Sequence, residues 1–300
     1  MVDYVKFEII NMLPEALERH RDLTFISFGV CETSELDTSS VFADYQGLRF
    51  KIYSPRKDYK RGIMTVEGSL HKFWNDGRHN YNDFGIMELD EVLCELYSRF
   101  NIHPTNCKIR NIEFGVNIHP PDKAGKIIEN CLLHKTKPFK WTYVSNNGNY
   151  KQVRRENYFI KVYDKQAQYQ GKYDVPPTLR FEIKFTRMRD LNNIGISTMQ
   201  DLLEHGLGSF KERLLKEWQN ILFYDYNVLD DTEYRDRYGS VNFWINLKAS
   251  NFKYHRSMLK GKLSTHLNST KRAVANLMEN KCNKLLGQTD QMTTYNIRCN

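Results

Sequence analysis

The sequence predicts an α+β protein, mainly an antiparallel sheet covered by helices and followed by a helical, basic C-terminal part. Three observations support this fold class. Short segments rich in β-branched and aromatic residues recur through the first 190 residues. An amphipathic helical pattern lies among them, and helical patterning dominates from about residue 195 onward. We therefore expect a sheet domain over residues 1–190 and a helical region over residues 195–300.

The strand candidates are short and are separated by turn-forming residues such as Gly, Asn and Pro. They are the segments 3–9, 24–30, 48–53, 63–70, 108–118, 158–163 and 179–185. Between them, residues 87–100 place Leu89, Val92 and Leu96 at helical spacing. This spacing predicts a helix whose apolar stripe covers one face of the sheet.

The C-terminal part combines helical patterning with positive charge. Residues 198–223 carry an apolar stripe that includes Phe210 and Trp218, and residues 240–285 predict two or three further helices with a break at Gly261. Residues 248–284 contain seven Lys and two Arg against a single acid, so this stretch carries +8, equal to the formal net charge of the whole chain. Such a concentration of charge indicates an anionic partner, although basic helices are more often ordinary solvated surface.

Cysteine usage and hydropathy exclude several classes of protein. The six cysteines include no Cys-x-x-Cys pair and no His-Cys cluster at zinc spacing, so we expect reduced structural thiols. No window approaches the roughly 18 uninterrupted apolar residues of a spanning helix. The start, MVDYVKFEII, has charged residues and no long apolar region, unlike a signal peptide. These patterns predict a cytoplasmic protein with no membrane partner.

Strand alternation assigns polar side chains to faces, because successive side chains point to opposite sides of a sheet. In the segments 108–118 and 179–185 the apolar residues occupy alternate positions, which places Glu113 and Glu182 on the opposite face. If the strands lie in one sheet, a single polar surface collects Glu67, His71, Glu113, Lys161, Tyr163 and Glu182.

This set of side chains fits a divalent metal site. The carboxylates of Glu67, Glu113 and Glu182, with the imidazole of His71, suit Mg²⁺ or Mn²⁺, which prefer oxygen ligands and keep positions open for a phosphate. A phosphodiester bound to such a metal is activated toward attack. The sequence therefore predicts a metal site, while a structural role for His71 is the ordinary alternative.

Tyr163 is a candidate nucleophile within the same set. Ionising a tyrosine at pH 7 costs roughly 4 kcal/mol, so nearby positive charge must offset part of this cost. Lys161 and Lys165 flank Tyr163 in the sequence and are placed to do so. Two ordinary alternatives stay open. Tyr163 alone would be a structural aromatic, and the alternating charges around Glu182 would be a solvated face.

Four segments resemble one family. FIKVYDKQAQ, around Tyr163, resembles the tyrosine segment of rolling-circle replication initiators, both the staphylococcal plasmid type and those related to the filamentous-phage gene II protein. IRNIEFGVNI resembles their acidic strand, and TLRFEIKF resembles the strand that follows their tyrosine. MTVEGSLHKFWNDGRHNYNDF is similar to a Gly-Ser-Leu-His-Lys stretch in the phage and plasmid proteins. The four segments occur in the family's order within residues 1–225.

The resemblance implies a nicking and joining domain over residues 1–190. Tyr163 would attack one strand of origin DNA and form a 5′-phosphotyrosine link, leaving a free 3′-hydroxyl for a polymerase. Glu113 and Glu182 would hold the metal. Glu67 and His71 are carried over with less support, because the plasmid initiators do not share their segment closely. A host helicase and polymerase, and a second copy of the chain, are further partners that fit this interpretation.

The positive charge of the C-terminal helices predicts that they bind origin DNA through its phosphates. This prediction rests on charge alone, because these helices carry no motif that resembles the family. The candidate residues are Lys248, Lys253, Arg256, Lys260, Lys262, Lys271 and Arg272.

Two other functions stay open at this point. One is a water-using metal-dependent nuclease, in which Glu182-Ile183-Lys184 is a Glu-x-Lys element and Glu113 or Asp164 is the first acid. The other is a non-catalytic DNA-binding repressor or partition protein. A covalent protein–DNA adduct distinguishes the tyrosine mechanism from both.

Overall fold

The computed structural model describes residues 1–27, 40–53, 62–144, 148–229 and 232–287. Its strands are β1 (Val2–Ile9), β2 (Ile26–Ser27), β3 (Val41–Tyr45), β4 (Leu48–Tyr53), β5 (Ile63–Ser69), β6 (Cys107–Ile118), β7 (Cys131–His134), β8 (Lys137–Pro138), β9 (Lys140–Val144), β10 (Gly148–Arg154), β11 (Tyr158–Asp164), β12 (Leu179–Phe185) and β13 (Ile221–Phe223).

Helices are α1 (Pro14–Glu18), α2 (Leu70–Trp74), α3 (Ile86–Phe100), α4 (Ala124–Glu129), α5 (Lys165–Gln168), α6 (Arg189–Asn192), α7 (Met199–His205), α8 (Gly208–Gln219), α9 (Thr232–Tyr238), α10 (Val241–Ile245), α11 (Ala249–Thr265) and α12 (Thr270–Gly287). Together with the strands they confirm the predicted α+β class. Within the described residues, none of these helices combines the length and the apolar character needed to cross a membrane.

The chain forms two compact units that alternate along the sequence. The first comprises Met1–Phe114, Lys184–Leu207 and Leu285–Asn300, and the second comprises Gly115–Ile183 and Gly208–Lys284. The second unit therefore draws on both sides of the predicted boundary at residues 190–195. The division into a nicking domain and a DNA-binding region stays a prediction about function.

The first unit is built on an antiparallel sheet with strand order β2-β3-β4-β5-β1-β6. Helix α3 buries the face that its spacing predicted, including Leu89, Val92 and Leu96. Its last residue, Phe100, packs against Phe50 of β4 with ring centroids 4.9 Å apart. The prediction that this helix covers one face of the sheet is therefore confirmed.

The second unit carries the strand order β6-β12-β11-β10-β9 and a separate three-stranded sheet, β13-β7-β8. Helix α8 buries Phe210 and Trp218, as predicted from their spacing. Part of the core of this unit is formed by Trp244, Phe252 and Leu259 of the C-terminal helices, which pack with Leu133 of β7.

Two predicted features differ from the structure. Strand β5 ends at Ser69, whose side chain accepts a hydrogen bond from the Lys72 amide at 3.0 Å and so starts α2 one residue later. Helix α11 runs through Gly261, and the break falls at residues 266–269. A mid-helix glycine costs only about 1 kcal/mol, which the packing of the flanking turns offsets.

Some predictions lie partly or wholly outside the described residues. The strand predicted at 24–30 is described only as β2, and Cys31 and Cys299 are not described. Among the described cysteines, Cys107, Cys131 and Cys282 are buried and form no disulfide.

Candidate functional site

Tyr163 lies near the end of β11, in the second unit. Along this strand Tyr158, Ile160 and Val162 are buried, while Lys161 and Tyr163 are partly exposed on the other face. The alternation predicted from the sequence is therefore confirmed here. On the neighbouring strand β10, Tyr150 is the register partner of Tyr163, and the two rings meet edge to face with centroids 6.3 Å apart.

The phenol of Tyr163 donates a hydrogen bond to Oε2 of Glu182 at 3.0 Å. Glu182 comes from β12, which lies beside β11 in the sheet. The same carboxylate accepts a bond from Arg180 Nε at 2.7 Å and one from Lys161 Nζ at 2.9 Å. Arg180 also donates to Asn117 Oδ1 at 3.0 Å, which holds the guanidinium in place.

Glu182 is a buried, ionised carboxylate. Its side chain is only 3% exposed. Burial alone would favour the neutral acid, but the charges of Lys161 and Arg180 outweigh this effect and hold the pKa of Glu182 well below its usual value. Consequently, the carboxylate is an acceptor for the Tyr163 phenol throughout the neutral pH range.

Gly115 of β6 makes room for this carboxylate. A Cβ at position 115 would lie 2.5 Å from the Cβ of Glu182 and 2.5 Å from the carbonyl oxygen of Phe181. Real Cβ atoms do not approach other atoms so closely, so only glycine allows β12 to lie here with Glu182 in its observed place.

Lys165 brings a third cation to the group. It is the first residue of α5, which begins at the N-cap residue Asp164, and its side chain is fully buried. Its ammonium lies 5.5 Å from the centroid of the Tyr163 ring and 5.4 Å from that of Tyr169. These distances are typical of cation–π contacts. We refer to Tyr163, Glu182, Arg180, Lys161 and Lys165 as the Tyr163 cluster.

The other three predicted metal ligands lie in the first unit, each with a partner of its own. Glu113 forms an ion pair with Lys184 at 2.6 Å. Glu67 pairs with Lys51 at 2.5 Å and with Lys6 at 3.1 Å.

The imidazole Nε2 of His71, on α2 rather than on β5 as predicted, lies 2.6 Å from Oδ1 of Asn82.

Strand order explains why Glu67 and Glu113 do not meet. Strand β1 lies between β5 and β6, and its Lys6 is the register partner of Glu67. Residues on β5 and β6 are therefore about 10 Å apart across the sheet, whereas two ligands of one Mg²⁺ each lie about 2.1 Å from the ion. Within the part of the chain that the structure describes, no three His, Cys, Asp or Glu side chains group as a metal site would require.

The residues present thus do not fit a preformed magnesium or manganese site. Glu182, which accepts the hydrogen bond from Tyr163, is paired with two cations instead. The metal remains a prediction from the sequence, and no catalytic step below depends on it.

Strand alternation places Arg180 on the same face as Glu182, and the structure buries this arginine rather than leaving it solvated. Alternation does not predict burial, so no signal in the sequence marked Arg180 as a member of the cluster.

The predicted DNA-binding residues differ in their surroundings. Lys262 stacks on the ring of Tyr234, with its ammonium 3.9 Å from the ring centroid. Lys271 donates to the carbonyls of Gln219 at 3.0 Å and Ile221 at 2.6 Å, and so ties α12 to β13. The exposed Lys248 precedes α11 as its N-cap residue.

The remaining four predicted DNA-binding residues, Lys253, Arg256, Lys260 and Arg272, line one groove.

The fold and the Tyr163 cluster define an α+β protein in which a buried, doubly paired glutamate holds a strand tyrosine. No family model matches the chain. No curated protein matches it either. Among solved structures, the chain is similar to a rolling circle replication initiator protein from Geobacillus stearothermophilus. That likeness has 12% identity and a TM-score of 0.35 and covers 65% of this chain and 77% of the other.

Proposed function

We propose that this protein is a replication initiator that nicks one strand of DNA with Tyr163 as the nucleophile. The observation that carries the proposal is the hydrogen bond from the Tyr163 phenol to Glu182, 3.0 Å long, inside a group of three cations. It supplies a nucleophile, an acceptor for its proton and positive charge for a phosphate in one place.

Glu182 is the proton acceptor in this proposal. The phenolic proton already points at Oε2, so attack by the phenolic oxygen can proceed with transfer of that proton to the carboxylate. Because its pKa is held low, Glu182 is a weak base. Proton transfer is therefore completed only as the Tyr163 oxygen bonds to phosphorus and gives up its own negative charge.

The cations of the cluster bind and stabilise the phosphate. Lys161, Arg180 and Lys165 outnumber the single carboxylate of Glu182, so the cluster keeps a net positive charge that attracts a phosphodiester. As the reaction proceeds, negative charge builds on the non-bridging phosphate oxygens, and fixed ammonium and guanidinium groups stabilise it. Lys161 is the accessible member, since its side chain is 17% exposed.

The nicking reaction needs no reactant other than the DNA strand and the Tyr163 cluster. The Tyr163 oxygen forms a bond to phosphorus while the bond from phosphorus to the 3′ oxygen breaks. The 3′ oxygen leaves with its electron pair and takes up the proton that Glu182 received. The products are a 5′-phosphotyrosine link and a free 3′-hydroxyl, and the reverse reaction rejoins the strand.

A supercoiled plasmid carrying the DNA that flanks the gene tests the proposal. It is incubated with the protein, with and without Mn²⁺, and analysed by denaturing electrophoresis for nicked DNA and a covalent adduct. The variant Tyr163→Phe should lose both products. The matched control Tyr150→Phe removes the neighbouring phenol and should keep both.

Peptide mapping of the adduct should place the phosphotyrosine at residue 163. A nick without an adduct would favour the water-using nuclease, and specific binding without any nick would favour the repressor. Either result would refute the tyrosine mechanism.

A further inference from the structure

A groove in the second unit is lined by cations without counter-charges. It has a volume of about 760 Å³ and is formed by residues 253–263 of α11, residues 269–276 around the start of α12, and residues 219–223 at β13. Five cationic side chains line it, and no Asp or Glu is among its lining residues. They are Lys253, Arg256, Lys260, Lys271 and Arg272.

Four of these cations are available to a ligand. Within the described residues, the side chains of Lys253, Arg256, Lys260 and Arg272 make no ion pair and no hydrogen bond, in contrast to the paired cations around Glu182 and Glu67. Grouping like charges without counter-charges destabilises a fold, which a bound anion would relieve.

Lys271 lies in the wall of this groove, near Arg256 and Lys260. Burial lowers the pKa of Lys271 to about 8, and repulsion from Arg256 and Lys260 adds to the effect. Its two hydrogen bonds to the backbone of residues 219 and 221 fix one wall of the groove. Trp218 donates to the carbonyl of Lys271 at 3.0 Å and braces the same wall. These hydrogen bonds hold the start of α12, which carries Arg272, against residues 218–221.

The spacing of the cations matches a nucleic-acid strand. Lys253, Arg256 and Lys260 occupy positions i, i+3 and i+7 of α11, so they follow one face of the helix over about 10 Å. Successive phosphates of a stacked strand rise by about 3.4 Å, so this row spans roughly three nucleotides. Arg272, at the start of α12, lines the same groove.

The floor of the groove distinguishes a single strand from a duplex. We use this term for the apolar residues of its lining, which are Ile221, Leu222, Phe223, Leu259, Leu263 and Ala275. A duplex keeps its bases paired inside and would bring only phosphates and sugars to this floor. A single strand exposes the apolar faces of its bases, which apolar and aromatic surfaces bind together with a basic rim.

We infer that this groove binds a short stretch of single-stranded nucleic acid, with its phosphates on the four cations and its bases against the apolar floor. The inference goes beyond strand nicking, because it requires no reaction at Tyr163. It also assigns separate roles to the basic residues near the C-terminal end: four bind the strand, and Lys271 supports the groove.

The test measures binding of a labelled oligonucleotide of about 12 residues by fluorescence anisotropy, with the full chain and, in parallel, with the full chain carrying Tyr163→Phe, which cannot form an adduct. The double variant Arg256→Ala/Lys260→Ala should bind the single strand at least about tenfold more weakly than the wild type. Its slope of log affinity against log salt should fall by about 1.4, because two phosphate contacts are lost at about 0.7 each.

A control variant that also loses two positive charges distinguishes binding in the groove from a general effect of net charge. Lys137→Ala/Lys216→Ala also removes two exposed cations of the second unit, but neither residue lines the groove. This variant should keep most of the affinity. If both double variants lose affinity equally, the groove is not the site and the inference is wrong.

Two further measurements test the nature of the ligand. Ser257→Glu adds a carboxylate to the groove and should weaken binding, while Ser250→Glu, exposed on the same helix outside the groove, should change it little. Competition with duplex DNA of the same sequence and with inorganic phosphate completes the test. Tighter binding of the duplex through the same residues, or equal competition by phosphate alone, would overturn the inference.

Discussion

A buried glutamate that is hydrogen-bonded to β11 gives a prediction about how stability depends on pH. Glu217 of α8 accepts a hydrogen bond from Tyr158 of β11 at 3.0 Å and lies 2.8 Å from His134 Nε2. Burial opposes ionisation of Glu217, but the hydrogen bonds from His134 and Asn220 and the charge of Arg213 outweigh it and lower its pKa to about 2. This network ties the strand that carries the candidate nucleophile to a helix.

The contribution of Glu217 to the free energy of unfolding follows from the shift in its pKa. The usual pKa of 4.5 is lowered to about 2, and each unit is worth about 1.4 kcal/mol, so the ionised form of Glu217 stabilises the fold by about 3 kcal/mol at neutral pH. Since the folded-state pKa lies below the unfolded value, this stability is present above the unfolded pKa and is lost as the pH falls through the folded one. About 1 kcal/mol should remain at pH 3 and almost none below pH 2.

The variant Glu217→Gln tests this value, because glutamine resembles the protonated acid. Urea unfolding followed by circular dichroism should show the variant about 3 kcal/mol less stable than the wild type at pH 7 and about 1 kcal/mol less stable at pH 3. Glu212→Gln, an exposed change on the same helix, should stay within about 0.5 kcal/mol at both pH values. A Glu217→Gln penalty that is the same at pH 7 and pH 3 would refute the reasoning.

Three further predictions concern the predicted metal ligands and their surroundings. Glu182→Gln leaves buried cations without their counter-charge and should lower the free energy of unfolding by about 3 kcal/mol, measured by urea unfolding, and abolish nicking. Gly115→Ala should cost about 1–3 kcal/mol through its clash with Glu182, whereas Gly125→Ala, whose new methyl would meet no atom within 4 Å, should not destabilise the protein. Lys184→Met removes the ion-pair partner that lies 2.6 Å from Glu113 and should raise the affinity for Mn²⁺ in calorimetry if Glu113 is a metal ligand; unchanged binding would count against that role.

Strand alternation was the part of the site that the sequence could predict. The period of two in β11 and β12 is a local property, so it placed Tyr163 and Glu182 on polar faces without knowledge of the fold. Their hydrogen bond also required β11 and β12 to be neighbours, and they are.

Strand order was what the sequence could not supply. Alternation assigns a face but not the strand that lies alongside. Because β1 lies between β5 and β6, Glu67 pairs with Lys6 of β1 and with Lys51 of β4 instead of meeting a second carboxylate. The predicted position of His71 on a strand was wrong for a local reason. The hydroxyl of Ser69 caps helix α2, so the strand alternation ends two residues before His71. Helix ends depend on such single hydrogen bonds, which a periodicity does not show.

The two groups of cations in the second unit differ in a way that bears on function. In the Tyr163 cluster, Lys161 and Arg180 are held by Glu182, so their positions are fixed before any ligand arrives. Fixed charges of this kind favour a transition state, because they need not reorganise as charge develops. In the groove, Arg256 and Lys260 have no such partner among the described residues, so their attraction for an anion is undiminished. Cations held by a carboxylate therefore favour catalysis, whereas cations without such a partner favour the binding of an anion. Substitutions in the cluster should therefore reduce the rate of nicking more than the affinity for DNA, and substitutions in the groove should do the reverse.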